Sequence, residues 1–195
     1  MNRKAVFLDL NGTLVLPVKQ ERLADLYPIP GAAEAVARLT HAGFVCPVVT
    51  VQSRIAKGLF SADEFLRWFD GFSDTLRREG AELVGPYVCP HRYVEPCACK
   101  KPNTLLYEQA AIDLGISLPD SVVIGDSPDD IRAATRVGTR SCLVRTGWAA
   151  DPEMVAAVEA EATSVAPSIV EAVDWLLSGA ARPTHDSPSR RRPSR

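Results

Sequence analysis

The sequence predicts an α/β protein with a doubly wound, mostly parallel sheet. Three observations carry that prediction. Short apolar runs alternate with amphipathic segments along most of the 195 residues. Three of those runs stop on a polar side chain, at Asp9, Thr50 and Asp126, as strands of an open parallel sheet do where they meet a ligand. The apolar and charged fractions, 46% and 24%, lie near the globular average rather than in the disordered or membrane ranges.

Taken in order, Ala5-Val6-Phe7-Leu8 reads as a buried strand ending at Asp9. Pro30-Gly31 opens a helix carrying Val36 and Leu39, and Gly43 stops it, because glycine takes the left-handed conformation that ends helices. Phe44 to Val49 is a second strand, in which Pro47 removes one ladder donor. Ser61-Ala62-Asp63-Glu64 is a capping box, so a longer helix starts there and runs toward Gly80. Leu83-Val84 and Tyr87-Val88 suggest a third strand. Asn103 to Leu114 is helical in pattern and is ended by Gly115. Val122 to Gly125 is a strand ending at Asp126, and Asp130 to Val137 is a further helix. Ser141 to Val144 gives another strand, followed by two weaker helices over Met154–Ala162 and Ile169–Leu177.

The length suits one domain, placed at 1–178. From about Gly179 the composition turns to Pro, Ser and Arg, so 179–195 is expected to be a disordered tail. The Arg190-Arg191-Arg192 run is expected to be solvated. A net charge of -2 argues against a nucleic-acid partner. No apolar run approaches the length that spans a bilayer, and Met1 to Phe7 leads directly into the first strand. The expectation is therefore a cytoplasmic monomer with no signal peptide and no membrane partner.

Carboxylates at the ends of neighbouring parallel strands define a chemistry. Asp9 and Asp126 could share a hard cation such as magnesium, which favours carboxylate and phosphate oxygens. Such a cation neutralises phosphate charge and lets an anionic Asp attack phosphorus. A small phosphorylated substrate is the ligand this implies.

A second cluster has a different chemistry. Cys89-Pro90-His91, five residues, then Cys97-Ala98-Cys99 supplies three thiolates and one imidazole. That is a complete tetrahedral zinc set with no open position, so a structural zinc loop is expected at 89–101. Only Tyr93 and Val94 in it could contribute apolar burial, so metal is what would hold it folded. Cys46 and Cys142 lie in apolar strands and read as core.

These residues resemble the haloacid-dehalogenase (HAD) phosphatase superfamily. Phe7-Leu8-Asp9-Leu10-Asn11-Gly12-Thr13 is similar to its first motif, hydrophobic residues followed by DxDGT. Thr50, Lys101 and Gly125-Asp126-Ser127-Pro128-Asp129-Asp130 fit the second, third and fourth motifs. The resemblance implies a Rossmann-like fold and an Asp9 nucleophile that forms an aspartyl-phosphate. It implies magnesium held by Asp9, the Asn11 carbonyl and Asp126. It also implies phosphoryl binding by Thr50 and Lys101, with Asp130 orienting the fourth-motif loop.

Within the superfamily, Cys97-Ala98-Cys99-Lys100-Lys101-Pro102 and the segment Val48 to Gly58 resemble the heptose bisphosphate phosphatases and the related histidinol-phosphate phosphatases. Leu143-Val144-Arg145-Thr146-Gly147 is similar to that branch's LVRTG. This implies no separate cap domain. The zinc loop would lean over the site, with Gln52, Ser53, Lys100 and Lys101 on the substrate.

Three departures and a milder fourth, at Lys100, stand out. Asn11 replaces the Asp that, in the family, protonates the leaving alkoxide and activates water, and a carboxamide cannot exchange that proton. Val51 replaces a substrate-contacting Asn, and Leu14 to Lys19 lacks the family's polar sugar-contacting segment. Lys100 stands for the usual Arg and loses bidentate geometry. The expected function is a magnesium-dependent phosphatase of a small sugar phosphate. The alternatives are a catalytically weakened protein that binds a phosphorylated metabolite or a partner, and a histidinol-phosphate phosphatase. Deamidation of Asn11-Gly12 would restore the family's Asp.

Overall fold

At the centre of the molecule lies β1 (Val6–Leu8), every residue of which is buried. The computed structural model describes residues 3–156 and 158–179. From β1 the chain makes a small antiparallel hairpin of β2 (Val15–Leu16) and β3 (Tyr27–Pro28), then α1 (Ala32–His41) and β4 (Pro47–Val51). Short α2 (Ser53–Ala56), long α3 (Ala62–Arg77) and β5 (Val84–Cys89) follow. After a loop come α4 (Leu105–Leu114), β6 (Val122–Gly125), α5 (Pro128–Arg136) and β7 (Arg140–Val144). The described chain ends with α6 (Pro152–Ala156), β8 (Ser164–Ala166) and α7 (Ile169–Leu177).

Six strands form one sheet in the order β5-β4-β1-β6-β7-β8, and each adjacent pair is parallel. The alternation within β1 explains why helices cover both faces. Val6 and Leu8 join the core built by α1, α3 and α7, whereas Ala5 and Phe7 join the smaller core against α4 and α5. Phe7 meets Tyr107 of α4 edge to face, with ring centroids 5.3 Å apart. A third cluster, centred on Ile131, Leu143 and Val155, seals the β7 side. Between β1 and α1 only the β2–β3 hairpin is inserted, so no separate cap domain stands there.

The capping box at Ser61 starts α3: the Glu64 N–H donates to Ser61 Oγ at 3.1 Å, and the Ser61 N–H to Glu64 Oε2 at 2.7 Å. Phe65, Phe69, Phe72 and Leu76 then recur on one buried face. The third strand is continuous through Pro86, because β5 is the outer strand and pairs only with β4. The helix expected over Met154–Ala162 is shorter. It ends at Ala156, and the chain turns through Val158 to Ala162 so that β8 can pair with Cys142 to Val144 of β7. The hairpin, α2 and β8 were not foreseen, since two to four residues carry no usable periodicity. Residues 180–195, nearly all of the expected disordered tail, lie outside the described residues.

Candidate active site

The chain leaves β1 toward β4 and leaves β6 toward β7, so the order reverses between these two adjacent strands. A crevice opens beyond their carboxyl ends at such a point. Asp9 stands just after β1 and Asp126 just after β6. A cleft of about 640 Å³ opens there, lined by Asp9, Asn11, Thr50, Lys101, Asp126 and Trp148 among others.

Lys101 joins the carboxylates. Its Nζ donates to Asp9 Oδ1 at 2.5 Å, to Asp130 Oδ1 at 2.5 Å and to the Val49 carbonyl at 3.1 Å. Three protons meet three acceptors, and the side chain is 5% exposed. The other oxygen of Asp130 accepts from the Ser127 N–H at 3.2 Å and its hydroxyl at 2.5 Å. Asp130 thereby caps α5 and holds the turn that carries Asp126. Asp126 Oδ2 accepts from the Trp148 N–H at 2.7 Å. Gly12 and Gly147 flank this carboxylate, and a Cβ at either would overlap it. Both have positive φ, 96° and 60°. The Thr146 hydroxyl donates to the Gly12 carbonyl and ties the two turns together.

Three buried carboxylates against one ammonium leave two negative charges unmatched. Burial, opposed by Lys101 and reinforced by Asp130, raises the Asp9 carboxyl to about 6. Burial, with Asp9 and Asp130 nearby, raises Asp126 well above the usual carboxylate range. Burial pulls Lys101 down, but Asp130 and Asp9 outweigh it and raise the ammonium well above its ordinary value. Oxygens of Asp9, Asp126 and Asp130 all lie within 4.8 Å of one another. Octahedral oxygens at magnesium distances sit about 3–4 Å apart. The carboxylates of Asp9 and Asp126 and the charge deficit fit a divalent metal, whereas both oxygens of Asp130 are taken up by Lys101 and Ser127.

Thr50 is 1% exposed at the end of β4, and its Oγ1 accepts from Gln52 Nε2 at 3.0 Å. The same Nε2 reaches Asn11 Oδ1 at 2.7 Å, and Asn11 Nδ2 donates to Gln20 Oε1 at 3.4 Å. A carboxamide row, Gln52–Asn11–Gln20, therefore runs at the cleft, its two glutamines buried and Asn11 half-buried. Gln52 is fully buried within it, while Ser53 and Val51 line the cleft. Arg54 donates to the carbonyls of Gln20 and, at 3.2 Å, Val18, fastening the segment after β2 to α2.

The Cys–His loop places Cys89 Sγ 3.7 Å from Cys97 Sγ and 3.7 Å from His91 Nδ1, with His91 Nδ1 3.2 Å from Cys99 Sγ. A tetrahedron with Zn–S near 2.3 Å places sulfurs about 3.8 Å apart. The four donors fit zinc. Lys100 lines the cleft, and its ammonium is hydrogen-bonded within its own loop. Its Nζ donates to the Arg92, Tyr93 and Glu95 carbonyls at 2.8, 2.7 and 2.6 Å. An ammonium has three protons, and these three carbonyls of its own loop take them up.

The structure thus brings Asp9, Asn11, Thr50, Lys100, Lys101 and Asp126 to one cleft. Sequence reasoning missed Gln20, Arg54 and the Trp148 N–H. The LVRTG-like segment was the one signal pointing toward Trp148, since Gly147 ends it.

A family model described as HAD-hyrolase-like matches residues 98–172. The D-glycero-beta-D-manno-heptose-1,7-bisphosphate 7-phosphatase of Haemophilus ducreyi is 35% identical over 185 residues, 90% of this chain and 100% of the relative. That of Vibrio cholerae is 36% identical over 192 residues, 91% of this chain and 98% of the relative. Among solved structures, a D,D-heptose 1.7-bisphosphate phosphatase from B. bronchiseptica, complexed with magnesium and phosphate, superposes with a TM-score of 0.82 at 28% identity. That match covers 90% of this chain and 98% of the other.

Proposed function

The chain belongs to the HAD-type heptose bisphosphate phosphatase family, and from that membership we propose that it is a magnesium-dependent phosphatase of a small, heptose bisphosphate-like sugar phosphate. The observation that carries the proposal is the buried set Asp9, Lys101, Asp126 and Thr50 around one cleft.

Asp9, Asp126 and the Asn11 carbonyl would hold magnesium, which when bound offsets the excess carboxylate charge and that of the phosphoryl group. Thr50 accepts its hydrogen bond from Gln52, so its own hydroxyl proton is free to donate to a phosphoryl oxygen. Lys101 donates a hydrogen bond to Asp9. A phosphoryl oxygen that takes over that bond frees Asp9 Oδ1 as it is itself neutralised. Asp9 then attacks phosphorus, the ester P–O bond breaks, and an aspartyl-phosphate forms that water later cleaves.

Zinc on Cys89, His91, Cys97 and Cys99 would keep the loop in place beside the cleft. Thiolate ligation needs reduced cysteines, which suits the cytoplasm. Every group named comes from one chain, so a monomer suffices.

Asn11 supports a second reading, a weakened protein that binds a phosphorylated metabolite. The test is phosphate release from heptose bisphosphate, histidinol phosphate and other small phosphomonoesters. Wild type, Asn11→Asp and Asp9→Ala are compared. Asn11→Asp is expected to raise turnover of alkyl phosphates about 10²–10⁴-fold, the usual worth of general acid–base catalysis. Activity that survives Asp9→Ala rules out the nucleophile, and ligand-induced stabilisation without turnover favours the binder.

A further inference from the structure

Turnover of a phosphoryl group on Asp9 depends on a neighbour that can pass a proton to or from an oxygen on phosphorus. Asp9 is the attacking group. Lys101 divides its protons among Asp9, Asp130 and the Val49 carbonyl. Asp126 is 1% exposed and held by the Trp148 N–H. Lys100 is saturated by loop carbonyls. Asp129 accepts from the Tyr93 hydroxyl of the zinc loop at 3.4 Å. The side chain two residues after the nucleophile is Asn11, and both of its polar atoms are engaged. Its Oδ1 accepts from Gln52 and its Nδ2 donates to Gln20. Gln52 is 0% and Gln20 2% exposed, so the groups behind Asn11 are shut off from bulk water and Asn11 alone of the three lines the cleft. Carboxamides neither gain nor lose a proton near neutral pH, and three in succession cannot relay one.

We infer that Asp9, once phosphorylated, holds its phosphoryl group for long times, and that acyl and aryl phosphates load it faster than alkyl esters do. This rests on the nucleophile proposed above. In the loading step an Asp9 oxygen forms a bond to phosphorus, and the P–O bond to the leaving group breaks. The electron pair departs on that oxygen. A carboxylate or phenolate leaves as a stable anion and needs no proton, whereas an alkoxide does, so alkyl phosphates load slowly. In the unloading step a water oxygen attacks phosphorus and the electron pair returns to Asp9. The proton the water sheds must go to solvent, because the row beside it takes none. General bases are worth about 10²–10⁴-fold in such steps, so unloading slows by that factor while loading from an activated donor does not.

The experiment incubates the full-length chain with magnesium and either acetyl phosphate or p-nitrophenyl phosphate. Intact mass is followed over time, together with nitrophenolate release. The expected result is a gain of one phosphoryl group per chain and a nitrophenolate burst of one equivalent, followed by slow release. Hydroxylamine should remove the adduct, as it does acyl phosphates. Peptide mapping after borohydride reduction locates the group at Asp9 without relying on a variant. Asn11→Asp should load as well but lose the adduct about 10²–10⁴-fold faster. Linear wild-type turnover with no burst and no adduct overturns the inference and leaves the phosphatase standing. An adduct at another residue overturns it as well. Neither adduct nor turnover, in wild type and Asn11→Asp alike, overturns both readings.

Discussion

Lys101 is the residue on which the site's electrostatics turn. One ammonium meets two carboxylates and a carbonyl in a region where its side chain is 5% exposed. Removing one partner of a buried ion pair is costly, about 3–5 kcal/mol, because the remaining charges stay desolvated and unpaired. Lys101→Met is therefore expected to lower unfolding free energy by about that much in metal-free protein, read from urea titration. Added magnesium should recover part of the loss, since a dication matches the same carboxylates. Lys101→Arg is not expected to rescue, because three acceptors converge on one nitrogen and a planar fork spreads its donors. A variant as stable as wild type without metal would contradict this view of the cluster.

Among the elements, the loop between β5 and α4 depends least on apolar packing. Tyr93 and Val94 are 72% and 88% exposed. Its order therefore rests on the four-donor cluster and on Lys100 bonded to three of its carbonyls. Cys97→Ser is expected to lower bound zinc well below one per chain, measured by elemental analysis. Limited proteolysis should then cut within residues 90–96 first, with the sheet intact. Lys100→Met should speed the same cut while zinc stays bound. Equal cleavage of wild type and Cys97→Ser would show that something other than metal holds the loop. By contrast α3 has its own start signal and a buried aromatic face, and neither change should reach it.

For the whole molecule, the crowded carboxylates give a signed pH dependence. The Asp9 carboxyl is raised from 3.8 to about 6, first by burial. The folded state thus keeps a proton that the unfolded state has already lost, and stability falls as pH rises between those values. The contribution is on the order of 3 kcal/mol for a shift of this size, and raised Asp126 acts in the same direction. Metal-free protein should melt at progressively lower temperature from pH 4 to pH 6. Asp9→Asn should flatten that slope. Magnesium, which binds the ionised carboxylates of the folded state, should reverse the slope above pH 6. A metal-free melting temperature that rises steadily across this window would contradict the placement of the charges.

Strand-end Asp9 and Asp126, Thr50, the capping box at Ser61 and the Cys–His spacing were all legible from the sequence, because each is local. Apolar runs, turn residues and ligand spacings act within a few positions, and they determine a doubly wound sheet, a cleft lined by carboxylates and a loop with four Cys and His donors. What surrounds Asn11 was not legible. Gln52 lies 41 positions away, Gln20 is presented by a hairpin too short to show in any pattern, and Thr146 reaches Gly12 across 134 positions. The three carbonyls that take up the Lys100 ammonium were not legible either, since the path of its own loop places them. Local chemistry writes the kinds of groups present. Which hydrogen bonds those groups complete depends on segments distant in sequence meeting in a buried space, where every donor must find an acceptor, and only the tertiary structure decides that.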